Sequence, residues 1–516
     1  MQRIGIAIAC VAATVTGAAP QDPSAPTFRA ATRLVQVDVV ARSKGAPATG
    51  LTKEDFTLFD NGKAQKIAFF SVRSARASAT AAPLPLPAGA VSNRLERDGP
   101  LLSRATILLV DQKNTPADTQ AFAIQRIKTF ARTSRNKDRF AIYSFGRDGQ
   151  LHAVQELTDD RQLLLSAANT LKAMDPNYRT QDTTGMSAHA ADAYSTVTVM
   201  EQVAVTKRVM TTIARHLSKV PGRKNLIWIS TAFPLFLECC DFRPDVEQAA
   251  RALNDANIAL YPVDARGLIG ALQGLTAIPN AEVGPAPPRQ LRMQMGRGES
   301  PSPRGLNTES MFADLTGGLV FYNKSNAIEE SIQAAVDDGE LTYTLGFYPA
   351  QAERDGASQN LHDLKVEVAR RGVSVRYRRT WFASKTQAAA DERPSLETLL
   401  KDPLDATELE LVAETMPDQA RPGLYDVRVS IDLHDVHLEN QNNTWVGAVD
   451  VSFFIAGSPT ARTITRKIEI PEEQLAAALE KGIAVSDSIG PGALRIVVRD
   501  QSTGAAGSVR ITLDKR

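Results

Sequence analysis

Apolar positions fall into two patterns along this chain, and the change from one to the other marks its parts. Between residue 104 and about 340, short unbroken apolar runs alternate with stretches whose apolar residues recur every three or four positions. The run Ala105–Val110 suits a strand covered on both faces, and Arg139–Phe145, Lys224–Ile229, Asn257–Val263 and Gly318–Tyr322 are predicted as further strands. Leu151–Leu157 is a further strand. Helices are predicted over Ala117–Arg132, Asp160–Lys172, Asp245–Ala256, Thr308–Leu315 and Asn326–Asp337. Ala123, Ile127 and Phe130 share one face of the first. A longer helix repeats Val205, Val209, Ile213 and Leu217, and Pro221-Gly222 ends it. Strands that alternate with helices predict an α/β domain over 104–340 with a mostly parallel, doubly wound sheet.

Outside that span the period drops to two. In residues 28–73, Leu34, Val35, Val37, Val39 and Val40 predict a strand, followed by a turn at Ser43–Pro47. Leu51–Phe56 predicts a brief helical turn, with Thr52 as its cap and Asp55 at the third position. Phe56–Phe59 and Gln65–Phe70 then flank Asp60-Asn61-Gly62-Lys63, a tight hairpin. So short a piece buries little core alone. It is therefore expected to pair with the hairpin-rich residues 341–382 in one β-sandwich. Residues 406–516 predict a second, all-β sandwich of immunoglobulin size, with a short helix near Glu472–Glu480. Residues 74–103, rich in Ala and Pro, and the polar residues 383–405 are expected to be linkers.

With 516 residues, several domains are required. Lys plus Arg total 59 against 58 acidic residues, so charge gives no argument for a nucleic-acid partner. Arg3, the apolar Ile4–Val15 and small residues through Ala19 have the layout of a signal peptide over 1–19. Export to the periplasm, cell envelope or medium is expected, with Cys10 also loosely placed for a lipoprotein site. No later run is long enough to span a bilayer. Cys239 and Cys240 then remain, as two thiols, a strained vicinal bridge or a bridge to a partner.

Candidate chemistry centres on the end of the first α/β strand. Asp111 follows Val110 directly, and Thr115, Pro116 and Asp118 have the types expected at a helix cap, first turn and third position. Open parallel sheets bind ligands at the carboxyl ends of strands where the strand order reverses. Asp264, at the end of a later strand, lies on the same sheet edge. The long interruption Gly267–Leu306 carries Arg289, Arg292, Arg297 and Arg304, either as a mobile loop or as a contact for an acidic partner. His434, His437 and Glu439 follow a strand and read as a polar turn. No nucleophile elbow, phosphate loop or paired-carboxylate motif stands out.

Several motifs carry a family resemblance. Val37–Val40, Gly50–Phe56, Asp60–Lys63, Leu109–Asp111 with Asn114–Pro116, Gly222–Ser230, Tyr261–Gly267 and Tyr343–Pro349 run in order over about two thirds of the chain. Together they resemble the von Willebrand factor A-related proteins abundant in Acidobacteria. The resemblance implies a Rossmann-like von Willebrand factor A domain and adhesion-like protein binding. Integrin-type members hold a divalent ion with Asp-x-Ser-x-Ser, a Thr from a second loop and an Asp after the fourth strand. Here Asp111 and Thr115 match, and Thr183 or Thr184 is available for the second loop. Lys113 replaces the middle Ser, however, and Ser230-Thr231 offers no carboxylate.

One carboxylate beside an ammonium is a poor Mg²⁺ site. Lys113 is instead expected to pair with Asp111, and no cofactor is expected; if a divalent ion binds, Asp111, Thr115 and Thr183 or Thr184 would hold it. The expectation is an exported, non-enzymatic protein that binds a protein partner. Its crevice would comprise Asp111, Lys113, Asn114, Thr115, Ser230, Thr231 and Asp264. The alternatives are an envelope-assembly component that binds through its β-sandwiches, and a hydrolase.

Overall fold

The computed structural model describes residues 34–74, 86–87, 89–95, 105–133, 138–173, 188–231, 236–237, 240–265, 306–321, 328–349, 361–382 and 394–514. The leader 1–19, Thr183, Thr184, Cys239 and the arginines of the 267–306 interruption lie outside these residues. The architecture is mixed α/β with several antiparallel sheets.

The chain begins with β1 (Val35–Ser43), β2 (Phe56–Asp60) and β3 (Phe69–Ser74), then the two-residue β4 (Val91–Ser92). The α/β part follows with β5 (Ala105–Asp111), α1 (Ala117–Thr133), β6 (Arg139–Phe145), β7 (Leu151–Thr158) and α2 (Arg161–Thr170). It continues through α3 (Ala188–His216), β8 (Lys224–Ser230), α4 (Arg243–Asp255), β9 (Ile258–Asp264), α5 (Leu306–Thr316) and α6 (Ile328–Asp338).

These strands form one sheet in the order β9-β8-β5-β6-β7, parallel except for β7. Every residue of β5, β8 and β9 is buried, which explains their unbroken apolar runs. One face packs against α3, α4 and α5, and the other against α1, α2 and α6. From the central β5 the chain builds outward through β6, then crosses to β8. The strand order therefore reverses between β5 and β8, and their carboxyl ends form the switch point. The sixth strand expected at Gly318–Tyr322 is only a single parallel bridge, Phe321 to Val263. Gly318 lies so close to the Leu260 carbonyl that a Cβ would overlap it. This close approach lets the end of α5 press on β9.

β10 (Leu341–Phe347), β11 (Leu361–Val368), β12 (Val373–Arg376) and β13 (Thr380–Phe382) return to the N-terminal strands. β1 lies between β10 and β12, β3 pairs with β10, and β11 joins β2 to β13. Val37, Leu58, Tyr343, Phe347 and Trp381 share the core between them.

The remainder comprises α7 (Leu396–Lys401), β14 (Leu411–Pro417), β15 (Tyr425–Ile431), β16 (Thr444–Ile455), β17 (Arg462–Pro471), β18 (Ile483–Ile489), β19 (Gly492–Asp500) and β20 (Ala506–Leu513). Two antiparallel sheets face each other across Val427, Val429, Val451 and Ile496.

Both expected linkers need correction. Within 74–103, β4 pairs with β14 and completes a sheet of the C-terminal sandwich. The next residue, Asn93, is buried and donates to the carbonyls of Ala406 (2.8 Å) and Leu409 (2.7 Å), while accepting from the Leu411 amide (3.0 Å). Within 383–405, α7 buries Leu399 against Val497. Composition missed both because one short strand and one turn and a half of helix carry little periodicity.

The end of α3 fastens the C-terminal sandwich to the α/β part. Arg215 pairs with Asp402 (3.0 Å) and Glu408 (3.4 Å). The His216 ring bridges the Asp405 carbonyl (2.6 Å) and Glu156 (3.1 Å).

Candidate functional site

The site is built on the end of β5. Asp111 is 1% exposed, and both its oxygens are engaged from inside the protein. One accepts the Asn114 amide N–H at 2.9 Å. The other accepts the Asn114 side-chain amide (2.8 Å), the Trp228 indole N–H (2.9 Å) and the Ser230 hydroxyl (3.0 Å). Burial pushes the Asp111 carboxyl above its ordinary range, and the donors from Asn114, Trp228 and Ser230 oppose that shift.

The flanking strand explains this geometry. Residues i and i+2 of a strand point to one face, so Trp228 and Ser230 both reach toward Asp111 from β8. Asn114 extends the network to α3: it donates to the Thr206 hydroxyl (3.3 Å) and accepts from Gln202. Thr231 donates to the Asn114 carbonyl at 2.5 Å. Gln120, buried in α1, donates to the carbonyls of Gln112 (3.0 Å) and Thr115 (2.8 Å), pinning the loop from the helix side.

Two expected roles are overturned. Lys113 does not pair with Asp111. Its ammonium donates to the Arg147 carbonyl at 3.3 Å and lies 3.7 Å from Glu201, because the Asp111 carboxylate is already enclosed by Asn114 and β8. Thr115 does not cap α1. The helix begins at Ala117, its first turn closes from Gln120 N to the Pro116 carbonyl (2.9 Å), and the Thr115 hydroxyl is buried with no hydrogen-bond partner among the described residues.

The expected crevice is also not an open surface. Asp111, Asn114, Thr115, Ser230, Thr231 and Asp264 are all buried, whereas the Lys113 side chain is 22% exposed. Asp264 sits beside Ser230 in the β9–β8 register, and the next residue's amide, Ala265 N–H, donates to the Ser230 carbonyl (2.8 Å). The structure thus joins Asp111, Asn114, Ser230 and Thr231 in one network and directs Lys113 away from it. Trp228, Gln120, Gln202 and Thr206 were missed as members. Only Trp228 carried a signal, its spacing of two from Ser230.

A divalent ion needs oxygen lone pairs in an octahedral array. At Asp111 one oxygen already accepts three donors and the other accepts the Asn114 amide N–H. Among the described residues no three His, Cys, Asp or Glu side chains cluster to hold a metal. The buried Thr115 hydroxyl is one oxygen such an ion could use, and among the described residues Asp111 is the carboxylate beside it, already accepting from Asn114, Trp228 and Ser230.

No family model matches the chain, and no curated protein matches it. Among solved structures, an aerotolerance-related membrane protein from Bacteroides fragilis aligns at 14% identity over 45% of this chain and 98% of its own, with a TM-score of 0.25. The conserved hypothetical protein BatB from Bacteroides thetaiotaomicron aligns at 13% identity over 46% and 97%, also at 0.25. The N-terminal domain of TFIIH p34 aligns at 12% over 45% and 96%, at 0.23. Among the described residues, no helix is long and apolar enough to cross a membrane.

Proposed function

We propose that this chain is an exported, non-enzymatic protein-binding protein whose α/β domain is of the von Willebrand factor A-related kind. In this reading its metal-dependent adhesion site has become metal-free. The observation that carries the reading is the Asp111 carboxylate, enclosed by four internal donors at the switch point of the sheet. An amide, an indole and a hydroxyl stand where a cation would need access, so the carboxylate braces the loop and does not grip a partner through a metal. Contact then falls to the accessible groups around it, Lys113 and Pro116 first. The N-terminal leader pattern supports export.

The test is photo-cross-linking of the full-length chain in its native cell envelope. The cross-linker is placed at Lys113 or, separately, at Met416 on the C-terminal sandwich, which is 59% exposed. A specific adduct from Lys113 and none from Met416 is expected. The reverse pattern would replace this reading with assembly through the β-sandwiches.

A further inference from the structure

A second site lies between the N-terminal sandwich and the α/β part. A cavity of about 500 Å³ is lined by Val40, Arg42, Leu319, Phe321, Val375 and Arg376, with Asp337, Asp338 and Ser374 also on its wall. That volume falls within the range of small-molecule sites.

Its polar wall is organised before any ligand arrives. Arg42 on β1 and Arg376 on β12, which are paired strands, meet at one carboxylate, Asp338 at the end of α6. Arg42 Nε donates to Asp338 at 3.3 Å, and Arg376 donates to the same oxygen. The Asp338 side chain is 3% exposed, and its other oxygen accepts the Tyr261 hydroxyl at 2.8 Å. Behind Tyr261 lies buried Arg223, 3.3 Å from the phenol oxygen. Arg42 also donates to the Gly45 carbonyl at 2.7 Å.

A guanidinium has five N–H donors in a fixed fork. Asp338 takes one nitrogen of each arginine, and the two side chains remain 26% and 29% exposed in the cleft. Arg42 and Arg376 share the buried Asp338, and the buried Arg223 behind them feels the charges of both Asp338 and Asp38. Asp337 at the rim is exposed, with one oxygen accepting from Gln333. Leu319, 40% exposed, lines the same cleft with Phe321, Val40 and Val375.

We propose that this cleft binds a small carboxylate with an apolar body. Arg42 and Arg376 take the carboxylate, and Leu319 and Phe321 take the body. Paired guanidiniums match a carboxylate's two oxygens, and fixing them on Asp338 in advance reduces the ordering cost of binding. The site is separate from the Asp111 network and stands or falls independently of the partner reading above.

Two sources share this chemistry, a peptide C-terminus and a free short-chain acid. The full-length chain is titrated calorimetrically with N-acetyl-leucine and with hexanoate, each beside its neutral amide. One acid is expected to bind with Kd below about 1 mM, its amide at least about tenfold more weakly, and the acid that binds identifies the source. Arg42→Gln is expected to weaken binding, but it also unpairs Asp338. Leu319→Glu leaves the Asp338 bonds intact, adds a like charge to the wall, and is expected to weaken binding about tenfold or more. No heat of binding from either acid up to about 10 mM, or equal binding of acid and amide, overturns the proposal.

Discussion

Trp228 is held to Asp111 across two neighbouring parallel strands by an indole-to-carboxylate hydrogen bond of 2.9 Å. Both groups are buried, and the indole has no other polar atom to offer. Trp228→Phe keeps most of the ring packing on Phe312 and deletes the donor. A hydrogen bond to a charged group contributes about 1.5–3 kcal/mol, so a loss of that order in unfolding free energy is expected from urea titration. An unchanged midpoint would mean the carboxylate does not depend on this donor.

Divalent ions should have no effect on stability. An ion present at a hundred times its dissociation constant would add about 2.7 kcal/mol to the folded state. The melting temperature is therefore expected to be the same with millimolar Mg²⁺, Mn²⁺ or EDTA. A rise with either ion that disappears in Asp111→Ala would restore the metal site.

Arg215 faces two carboxylates at the junction of α3 with the C-terminal sandwich. Burial pushes both Asp402 and Glu408 above their ordinary range, while the Arg215 charge pulls each back down. Arg215→Met leaves both without that cation. Removing one partner of a buried ion pair costs about 3–5 kcal/mol. The variant should unfold its C-terminal sandwich at lower urea, followed by protease cleavage after residue 400. Coincident wild-type and variant curves would show that the junction is held by other contacts.

Glu156 supplies the pH dependence. Burial pushes its carboxyl up, but the His216 hydrogen bond and charge, the Tyr143 hydroxyl and Arg510 together bring it below its ordinary value of 4.5. A carboxyl whose pKa is lower folded than unfolded adds stability above the unfolded value and loses it as pH falls through the folded one. Wild type should therefore be more stable than Glu156→Gln at pH 6. The gap should close as the pH drops below about 4.5. A gap that widens on acidification would reverse the sign assigned here.

How much could be read from the residues varies with the kind of signal. β5, β8 and β9 were legible because burial on both faces forces continuous apolar runs. The helix face of Ala123, Ile127 and Phe130 was legible because its period is fixed by geometry. Asp111 stood out as an acid ending a buried strand. Its partners did not, since hydrogen bonds from Gln202 and Thr206 depend on how α3 crosses the loop, and no spacing encodes that. Lys113 looked like a counter-charge from its nearness in sequence, yet the backbone turn that brings Asn114 onto Asp111 sends Lys113 the other way. Val91 and Asn93 were hidden for a different reason: their partners lie more than three hundred residues downstream.

That last separation has a consequence for synthesis. β1 pairs with Tyr343 and its neighbours, and β4 pairs with Val412, while the whole α/β part is made in between. At roughly 5–20 residues per second, β1 waits about 15–60 s for its partner strand to appear. The α/β part can close on its own contiguous strands during that time. It is therefore the piece that finishes first, and each sandwich is completed around it by strands arriving late.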